Sequence, residues 1–481
     1  MSNILIITEF VAPIQAIASI RWTKLGKYLA KNHGHHIYIL TNTKDFDGEL
    51  LDERQYNKDE TLVADLDFFS GYLQFDSPIE TRRAIRLFNL GRKVNGQGVA
   101  SSSKPVDGDA PSVGFPAALS SVKNRIGAIA RKVVGAGKRW ALLRREGLCA
   151  EHFPKAASER YREAVAAGEI PSCDLVISTC GPSWPHAAAT LIKRSGLARP
   201  WIADFRDAPK GCLEEPERRI RRFYKEYESA DSISLVSRAI EDDLWIRHGQ
   251  DVFELANGFD PDDTQGKSRS KQSKYRIVYT GVLYSHGVMK RDLSPIFEAI
   301  EYLQAEGRVD IDDVEICYAG STPDLFQKQI DQYPNLVPRT RNLGLLPRSE
   351  ALDLQRSASV LAIATWNTAD YQGVTTGKIW EYLLSGAPIV GTCTGEIPNP
   401  YLGEVIRDSG AGVMIEVERL DETLPPAIDF LAGLYDEWKK SGTATVAIDG
   451  DFINQFSYPA LANRLNEKIA GLLGADSELP A

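Results

Sequence analysis

The chain has 481 residues, of which 43% are hydrophobic and 25% charged, and its formal net charge is −9. A chain of this length buries more than one hydrophobic core, so we expect two or three domains. No apolar run approaches the roughly 18 residues that span a bilayer, and the acidic balance disfavours general nucleic-acid binding. The six cysteines lack C-x-x-C spacing. That pattern argues against a zinc site or a disulfide framework and favours a reduced, cytoplasmic protein.

The first half of the chain alternates short apolar runs with helical patterns. Strands are predicted at Ile4–Thr8, His36–Thr41, Leu175–Thr179, Trp201–Phe205, Ser232–Val236 and Val252–Leu255. Helices are predicted at Ala16–Lys31, Trp184–Ser195, Pro216–Ser229 and Arg238–His248. Continuous apolar strands that alternate with helices predict a parallel sheet covered on both faces.

The second half repeats this pattern after a polar stretch, 261–274, that is typical of an interdomain linker. Strands are predicted at Ile277–Thr280, Val314–Ala319, Val360–Ala364, Pro388–Val390 and near Asn342, with helices from Leu293, Pro323, Arg348 and Lys378. The expected fold class is α/β, with two Rossmann-like, doubly wound parallel-sheet domains facing a cleft. We place them at 1–257 and 258–456, and expect a helix in 457–481 to cross back to the first domain.

A basic insertion interrupts the first domain at 81–147. It holds 14 lysine and arginine residues against three acidic residues, a net charge of +11. Within it, 118–145 places Leu119, Val122, Ile126 and Ile129 at helical spacing among basic side chains. Such a helix suits an anionic membrane surface, but it also suits packing against the first domain or binding to a partner protein.

The tripeptide Asp65-Leu66-Asp67 has the D-x-D spacing of some metal sites. It lies in a divergent stretch without other motifs, so we expect these aspartates on the surface. No metal site is predicted.

The most informative stretch is 373–391, where a Thr/Gly turn opens a helix. Backbone N–H groups at the helix start, near Gly377, attract phosphate, and Lys378 adds a full positive charge. Glu381, one turn on, is able to accept hydrogen bonds from sugar hydroxyls. This chemistry suits a nucleoside diphosphate, although an ordinary βα unit also carries these residue types.

Five segments resemble, in the correct order, the glycosyltransferase family 4-like group, which has the GT-B architecture. The segments are 13–41, 178–207, 256–260, 279–300 and 377–390. They correspond to the first loop and helix, the third-layer block, the hinge motif ANGFD, the donor-side loop and the nucleotide-ribose helix.

On the donor side, this resemblance implies a nucleotide-diphosphate sugar, with UDP slightly favoured, and no cofactor. Glu381 matches the second glutamate of the family's E-x7-E motif, whereas the first falls on Gly373. Thr375 and Thr376 are then expected to hold the phosphates. Arg291 is expected at the diphosphate, with a surface charge as the alternative.

On the catalytic side, Arg206 stands where many family members carry a histidine, and Asp204 and Asp207 flank it. A guanidinium binds oxygens but does not act as a base. The alternative is a salt-bridged strand end. His186 starts the preceding helix and either points into the cleft or is structural.

The first strand–helix loop is framed by Glu9, Ser19 and Arg21, which are the candidate acceptor contacts. The family's glycine-rich loop is absent there. Asn257 and Gly258 are expected to form a hinge turn.

The function implied is a retaining, metal-independent hexosyltransferase of cell-envelope polysaccharide or glycolipid synthesis. The expected acceptor is lipid-linked or a saccharide. The protein is expected in the cytoplasm. If 118–145 binds lipid, the protein is expected at the inner face of the membrane. The alternatives are a catalytically silent GT-B partner subunit and a nucleotide-sugar epimerase.

Overall fold

The computed structural model describes residues 1–14, 16–42, 60–75, 152–207 without 182 and 199, 224–244, 249–264, and 269–476 without 370, 373 and 374. The basic insertion 81–147, including 118–145, lies outside the described residues. So do Gly373 and most of the predicted helix Pro216–Ser229.

The first sheet has seven parallel strands in the order β3-β2-β1-β4-β5-β6-β7. The strands are β1 Asn3–Ile7, β2 His36–Asn42, β3 Gly71–Phe75, β4 Leu175–Thr179, β5 Trp201–Phe205, β6 Ser232–Leu235 and β7 Asp251–Glu254. Its helices are α1 Ile17–His33, α2 Glu60–Asp65, α3 152–166 and α4 Trp184–Arg194. Every residue of β4 and β5 is buried, as expected for central strands covered on both faces.

The second sheet has six parallel strands in the order β12-β11-β8-β13-β14-β15, and β9 and β10 form a separate antiparallel hairpin. The strands are β8 Tyr275–Thr280, β9 Ser285–His286, β10 Met289–Lys290, β11 Val314–Ala319, β12 Thr340–Asn342, β13 Val360–Trp366, β14 Ile389–Thr394 and β15 Gly412–Glu416. The helices are α5 Ser294–Ala305, α6 Pro323–Ile330, α7 Arg348–Arg356, α8 Lys378–Ser385, α9 Tyr401–Asp408, α10 Leu420–Ser441 and α11 Gly450–Asn454. The prediction of two parallel-sheet α/β domains is confirmed.

The last helix, α12 Tyr458–Asp476, packs on the first domain although it follows the second in sequence. Its buried side chains Leu461 and Leu465 share one core with Ile4 and Trp22. Within the described ranges, no helix combines the length and apolar character that a membrane crossing requires.

The order of the strands fixes where a ligand is able to bind. In the first sheet, the strands after β1 are added on one side of it, and the strands after β4 are added on the other side of the sheet. The second sheet reverses direction in the same way between β8 and β13. Such switch points leave a crevice at the carboxyl ends of the strands. The loops after β8 and β13, which begin at Gly281 and Asn367, therefore lie at the mouth of the second domain.

The stretch 261–274, predicted to be an interdomain linker, makes fixed contacts near both of its ends. Pro261–Thr264 forms a 3₁₀ turn beside the fully buried Asp260. Arg269 donates to the carbonyls of Ala358 (2.5 Å) and Gly386 (3.2 Å). These contacts fasten both ends of the stretch to the folded domains, and 265–268 lie outside the described residues.

A similar difference concerns the predicted helix Arg238–His248. The structure gives a 3₁₀ helix over Arg238–Asp243, capped by the Ser237 hydroxyl, which accepts from the Ala239 N–H at 3.2 Å. The described part of the segment therefore forms a tighter turn than the α-helix that we predicted.

Candidate functional site

A cleft of about 820 Å³ separates the two domains. Its first-domain wall contains Ile17 and Ile20 of α1 and Arg206 after β5. Its second-domain wall contains the loops after β8, β11 and β13 and the start of α8. The structure thus brings into one cleft the predicted residues Arg206, Asp207, Arg291, Thr375, Thr376, Gly377, Lys378 and Glu381.

The start of α8 places a cation and a carboxylate side by side. Lys378 Nζ lies 3.0 Å from Glu381 Oε2, with the lysine side chain 31% exposed and the glutamate 16%. Gly377 occupies the N-cap position, and the Thr376 hydroxyl accepts from the Lys378 N–H at 3.3 Å. The positive end of the helix dipole and Lys378 both lie at the cleft.

Glu381 is held in its ionised form by its neighbours. Burial acts to raise its pKa, but the charges of Lys378 and Arg348 and the hydrogen bond from Lys378 lower the pKa below its usual range. The amide of Gln355 also donates to Glu381 Oε2 at 3.2 Å. A carboxylate fixed in this way accepts hydrogen bonds readily, which is the property that a ribose hydroxyl requires.

Arg291 lies between two aromatic rings on the second-domain wall. Its guanidinium carbon is 4.7 Å from the centre of the Tyr284 ring and 5.4 Å from that of Trp366. Its Nη1 donates to the carbonyl of Val282 at 2.7 Å. Burial raises the pKa of the adjacent Tyr279 to about 12, and its neutral hydroxyl donates to the same carbonyl. These contacts fix a cation that lines the cleft.

Two glycines let the loops after β8 and β11 approach each other. A Cβ at Gly320 would lie 1.9 Å from the Gly281 carbonyl oxygen, so no larger residue fits there. Gly281 itself has a φ of 132°, which L side chains rarely adopt. Because a Cβ at Gly281 would lie 3.8 Å from Lys378 Cε, this loop runs directly beside the lysine.

Arg206 is fixed on the opposite wall by backbone carbonyls. Its Nε donates to Cys180 O at 2.7 Å and its Nη2 to Gly181 O at 2.5 Å. Its guanidinium also lies over the ring of Phe10, 5.8 Å from the centre. Asp207 is 3.9 Å from Nη1 and 62% exposed, so it interacts weakly with the arginine and faces solvent.

Four predicted site residues do not line the cleft, and the structure corrects their placement. Arg21 and Ser19 are fully buried, and Glu9 is 2% exposed and accepts from the Trp184 indole N–H at 2.5 Å. Arg21 pairs with Asp204 and donates to the carbonyl of Leu255. Burial on this scale leaves these side chains no surface for an acceptor, so they support the loop from beneath.

His186 is likewise fully buried, and its Nδ1 lies 2.7 Å from the Ser178 hydroxyl. Its ring is 4.7 Å from that of Phe205. Burial lowers the pKa of His186 to about 3, against a smaller raising effect of Asp204. A neutral, enclosed imidazole of this kind supports the structural alternative rather than a catalytic role.

The aspartate Asp65 of the D-x-D tripeptide also differs from its predicted surface position. It is 6% exposed and forms ion pairs with Lys24 at 2.8 Å and Lys27 at 3.0 Å. Among the described residues, no group of three or more His, Cys, Asp or Glu side chains is placed to hold a metal ion.

Sequence reasoning missed several side chains of the cleft, namely Asp263, Tyr284, Arg348 and Trp366, and also Gln355, which contacts Glu381 from beneath the cleft. Arg348 and Trp366 had a usable signal, since one begins a predicted helix and the other ends a strand at the expected edge of the sheet. Gln355 carried no such signal, because it lies in the body of α7 and is fully buried.

Several solved structures share this architecture. The N-terminal domain of trehalose-6-phosphate phosphatase from Candida albicans matches with a TM-score of 0.55 and 12% identity over 98% of this chain and 97% of that chain. Trehalose 6-phosphate synthase from Burkholderia multivorans matches with a TM-score of 0.52 and 11% identity, over 99% of this chain and 100% of that chain. Sucrose-phosphate synthase from Thermosynechococcus elongatus matches with a TM-score of 0.51 and 13% identity, over 99% of this chain and 100% of that chain.

These likenesses establish the fold, and the expected GT-B architecture is confirmed. No protein-family model matches the chain, and no curated protein sequence matches it. Membership of family 4 specifically stays a prediction.

Proposed function

We propose that the protein is a glycosyltransferase that moves a sugar from a nucleotide-diphosphate sugar to an acceptor hydroxyl. The observation that carries this proposal is the convergence of Lys378, Glu381 and Arg291 at the carboxyl edge of the second sheet, facing Arg206 across one cleft. The GT-B fold, which glycosyltransferases share, supports the same reaction class.

In this proposal the donor's ribose binds Glu381 and its diphosphate binds Lys378, Arg291 and the start of α8. The bond between the anomeric carbon and the diphosphate oxygen breaks, and the electron pair leaves with the diphosphate. An acceptor oxygen then bonds to the anomeric carbon and its proton passes to the departing diphosphate, with retention of configuration as the expected outcome. Preorganised charges at the leaving group contribute on the order of 3–4 kcal/mol each to such steps.

Protein cations at the diphosphate make turnover without an added metal ion the expected behaviour. A screen of UDP-, GDP- and ADP-sugars by mass spectrometry, with and without EDTA, tests the reaction class. Transfer or hydrolysis of one donor that persists in EDTA supports the proposal. The absence of both reactions with lipid-linked, polysaccharide and small-molecule acceptors would contradict it.

A catalytically silent, nucleotide-binding subunit is the second candidate. The observation that favours it is the fixed position of Arg206, which donates to two carbonyls at the place where many family 4 members carry a histidine. Calorimetry with UDP, GDP and ADP separates the two candidates, since binding without turnover of any donor supports the silent subunit. Interconversion of a free nucleotide sugar in the same screen would instead indicate an epimerase.

For the acceptor, we propose a lipid-linked or saccharide molecule at the cytoplasmic face of the membrane, in cell-envelope polysaccharide or glycolipid synthesis. The support is the sequence of 118–145 alone, where each basic residue near an anionic surface contributes roughly 1 kcal/mol. Sedimentation with anionic and neutral liposomes at two salt concentrations tests it. Equal binding to both lipids, or none, would favour a soluble acceptor.

A further inference from the structure

A row of alternating charges connects the first domain to the nucleotide helix. Lys24 Nζ lies 3.7 Å from Asp263 Oδ1, and Asp263 Oδ2 lies 2.7 Å from Arg348 Nη2. Arg348 Nε lies 3.7 Å from Glu381 Oε1, and Glu381 Oε2 lies 3.0 Å from Lys378 Nζ. The two oxygens of Asp263 therefore face partners from opposite domains.

The members of this row are well shielded from water. The side chain of Lys24 is 3% exposed, that of Asp263 is 10% and that of Arg348 is 11%. Charges act strongly on one another where the local dielectric constant is low. Removal of one partner also leaves its neighbour buried without compensation. A change at one end of the row is thus felt at the other.

The row has a definite direction through the fold. Lys24 belongs to α1 of the first domain, and it is absent from the lining of the cleft. Asp263 lies in the connection between the domains, Arg348 begins α7, and Glu381 lies in the first turn of α8. A lysine that is unable to touch a bound nucleotide is thus linked to the carboxylate proposed for the ribose.

We propose that Lys24 and Arg348 are positioning residues for the nucleotide site and act through Glu381. This inference rests on the proposed function. While Lys24 also pairs with Asp263, Arg348 interacts with both Asp263 and Glu381. Without Lys24, Asp263 draws Arg348 away, and Lys378 becomes the main cation paired with Glu381, beside the neutral amide of Gln355. Lys378 is then less available to the diphosphate, so nucleotide affinity depends on a side chain of the facing domain.

Lys27 offers a matched control for Lys24. It lies one turn further along α1, and within the described part of the chain its ion pairs are with Asp65 (3.0 Å), Asp260 (3.1 Å) and Asp262 (3.5 Å). Lys24 also pairs with Asp65 and Asp260, at 2.8 Å and 2.6 Å. The two lysines thus share two partners, and the contact with Asp263 distinguishes Lys24.

The test is calorimetric titration of the full chain with whichever of UDP, GDP or ADP binds the wild type most tightly. Lys24→Met is expected to weaken binding about fivefold, the lower end of coupling between distinct sites. Lys24→Arg keeps a cation and is expected to restore wild-type affinity, and Lys27→Met is expected to change it by less than about twofold. The double variant Lys24→Met/Arg348→Gln is expected to bind no more weakly than Arg348→Gln alone, because both changes break one row.

Equal weakening by Lys24→Met and Lys27→Met would overturn the inference, since general loss of packing would explain both. Unchanged affinity in Lys24→Met, with weakened binding in Glu381→Gln, would overturn it while the proposed function stands. A wild type that binds none of the three nucleotides overturns both proposals. Should Lys24→Met fail to fold, Asp263→Asn replaces it with the opposite expectation: Arg348 is then left to Glu381 and Lys378 is released, so binding at least as tight as wild type is expected, and weaker binding would overturn the inference.

Discussion

Arg21 and Asp204 form an ion pair at 2.9 Å inside the first domain, and neither side chain has any exposed surface. Burial acts to raise the pKa of Asp204, but the charge of Arg21 and its hydrogen bonds lower that pKa below its usual range. The indole N–H of Trp22 and the hydroxyl of Ser234 also donate to Asp204, at 3.0 Å and 2.8 Å. The pair joins α1 to β5 and β6 directly beneath the cleft.

Arg21→Leu is expected to lower the free energy of unfolding by about 3–5 kcal/mol, because it leaves the Asp204 carboxylate buried and unpaired. Urea denaturation followed by circular dichroism measures this. Arg308→Leu is the control, since that arginine is 45% exposed and pairs with an exposed aspartate, and a loss under about 1 kcal/mol is expected. Equal losses in the two variants would contradict a structural role for Arg21.

His186 is expected to make stability depend on pH. Burial lowers its pKa to about 3 in the folded protein, whereas the ordinary pKa of a histidine side chain is 6.5. Between these values the unfolded chain binds a proton that the folded chain excludes, so stability falls as pH decreases from 6.5. The loss is at most about 1.4 kcal/mol per pH unit. His186→Gln is expected to flatten the slope between pH 6.5 and 4, and His36→Gln, at an exposed site, should leave it steep.

The proposed donor site predicts distinct effects for two of its residues, Glu381 and Lys378. Glu381→Ala is expected to weaken nucleotide binding by about 1–3 kcal/mol, the range for lost hydrogen bonds to a charged group. Lys378→Ala is expected to lower both affinity and turnover, and Lys378→Arg should restore turnover only in part because the compact charge is lost. Calorimetry and donor hydrolysis give the two readouts. Lys328→Ala, an exposed change on α6, is the control, and wild-type behaviour of either alanine variant would place the donor elsewhere.

The aromatic rings around Arg291 are expected to matter for the diphosphate and not for the nucleoside. Trp366→Leu removes one face of the cation–π pair, which contributes about 0.5–2 kcal/mol in such sites. We therefore expect weaker binding of the nucleoside diphosphate and unchanged binding of the nucleoside itself. The same titrations on Arg291→Ala should show a larger effect with the same selectivity. An equal loss of affinity for the nucleoside diphosphate and the nucleoside would indicate that Trp366 contacts the nucleobase instead.

The strands were predictable because their signal is local. Leu175–Thr179 and Trp201–Phe205 are mainly apolar runs, whose polar residues are Ser178, Thr179 and Asp204. Both strands have the predicted first and last residues in the structure. The strand Gly71–Phe75 was missed because it lies at the edge of the sheet and buries only part of its residues. Partial burial produces a shorter and weaker pattern than a central strand does.

The position of 375–381 at the cleft was also predictable, because these residues form one turn and one helix start that are adjacent in sequence. The role of Arg21 was not. Its partners Asp204 and Leu255 lie 183 and 234 residues away, and a single sequence carries no sign of such pairings. An arginine near a helix start is typical of a surface, so its burial depends wholly on long-range packing.

The return of α12 to the first domain affects the order in which the chain is able to fold during synthesis. The core around Ile4 and Trp22 also contains Leu461 and Leu465, which are translated after the second domain. The last strand of the second domain ends at Glu416, well before α12. Although domains generally fold from the N-terminus onward, here the first domain is finished after the second, so a nascent chain exposes part of the first domain's apolar core until α12 has been translated.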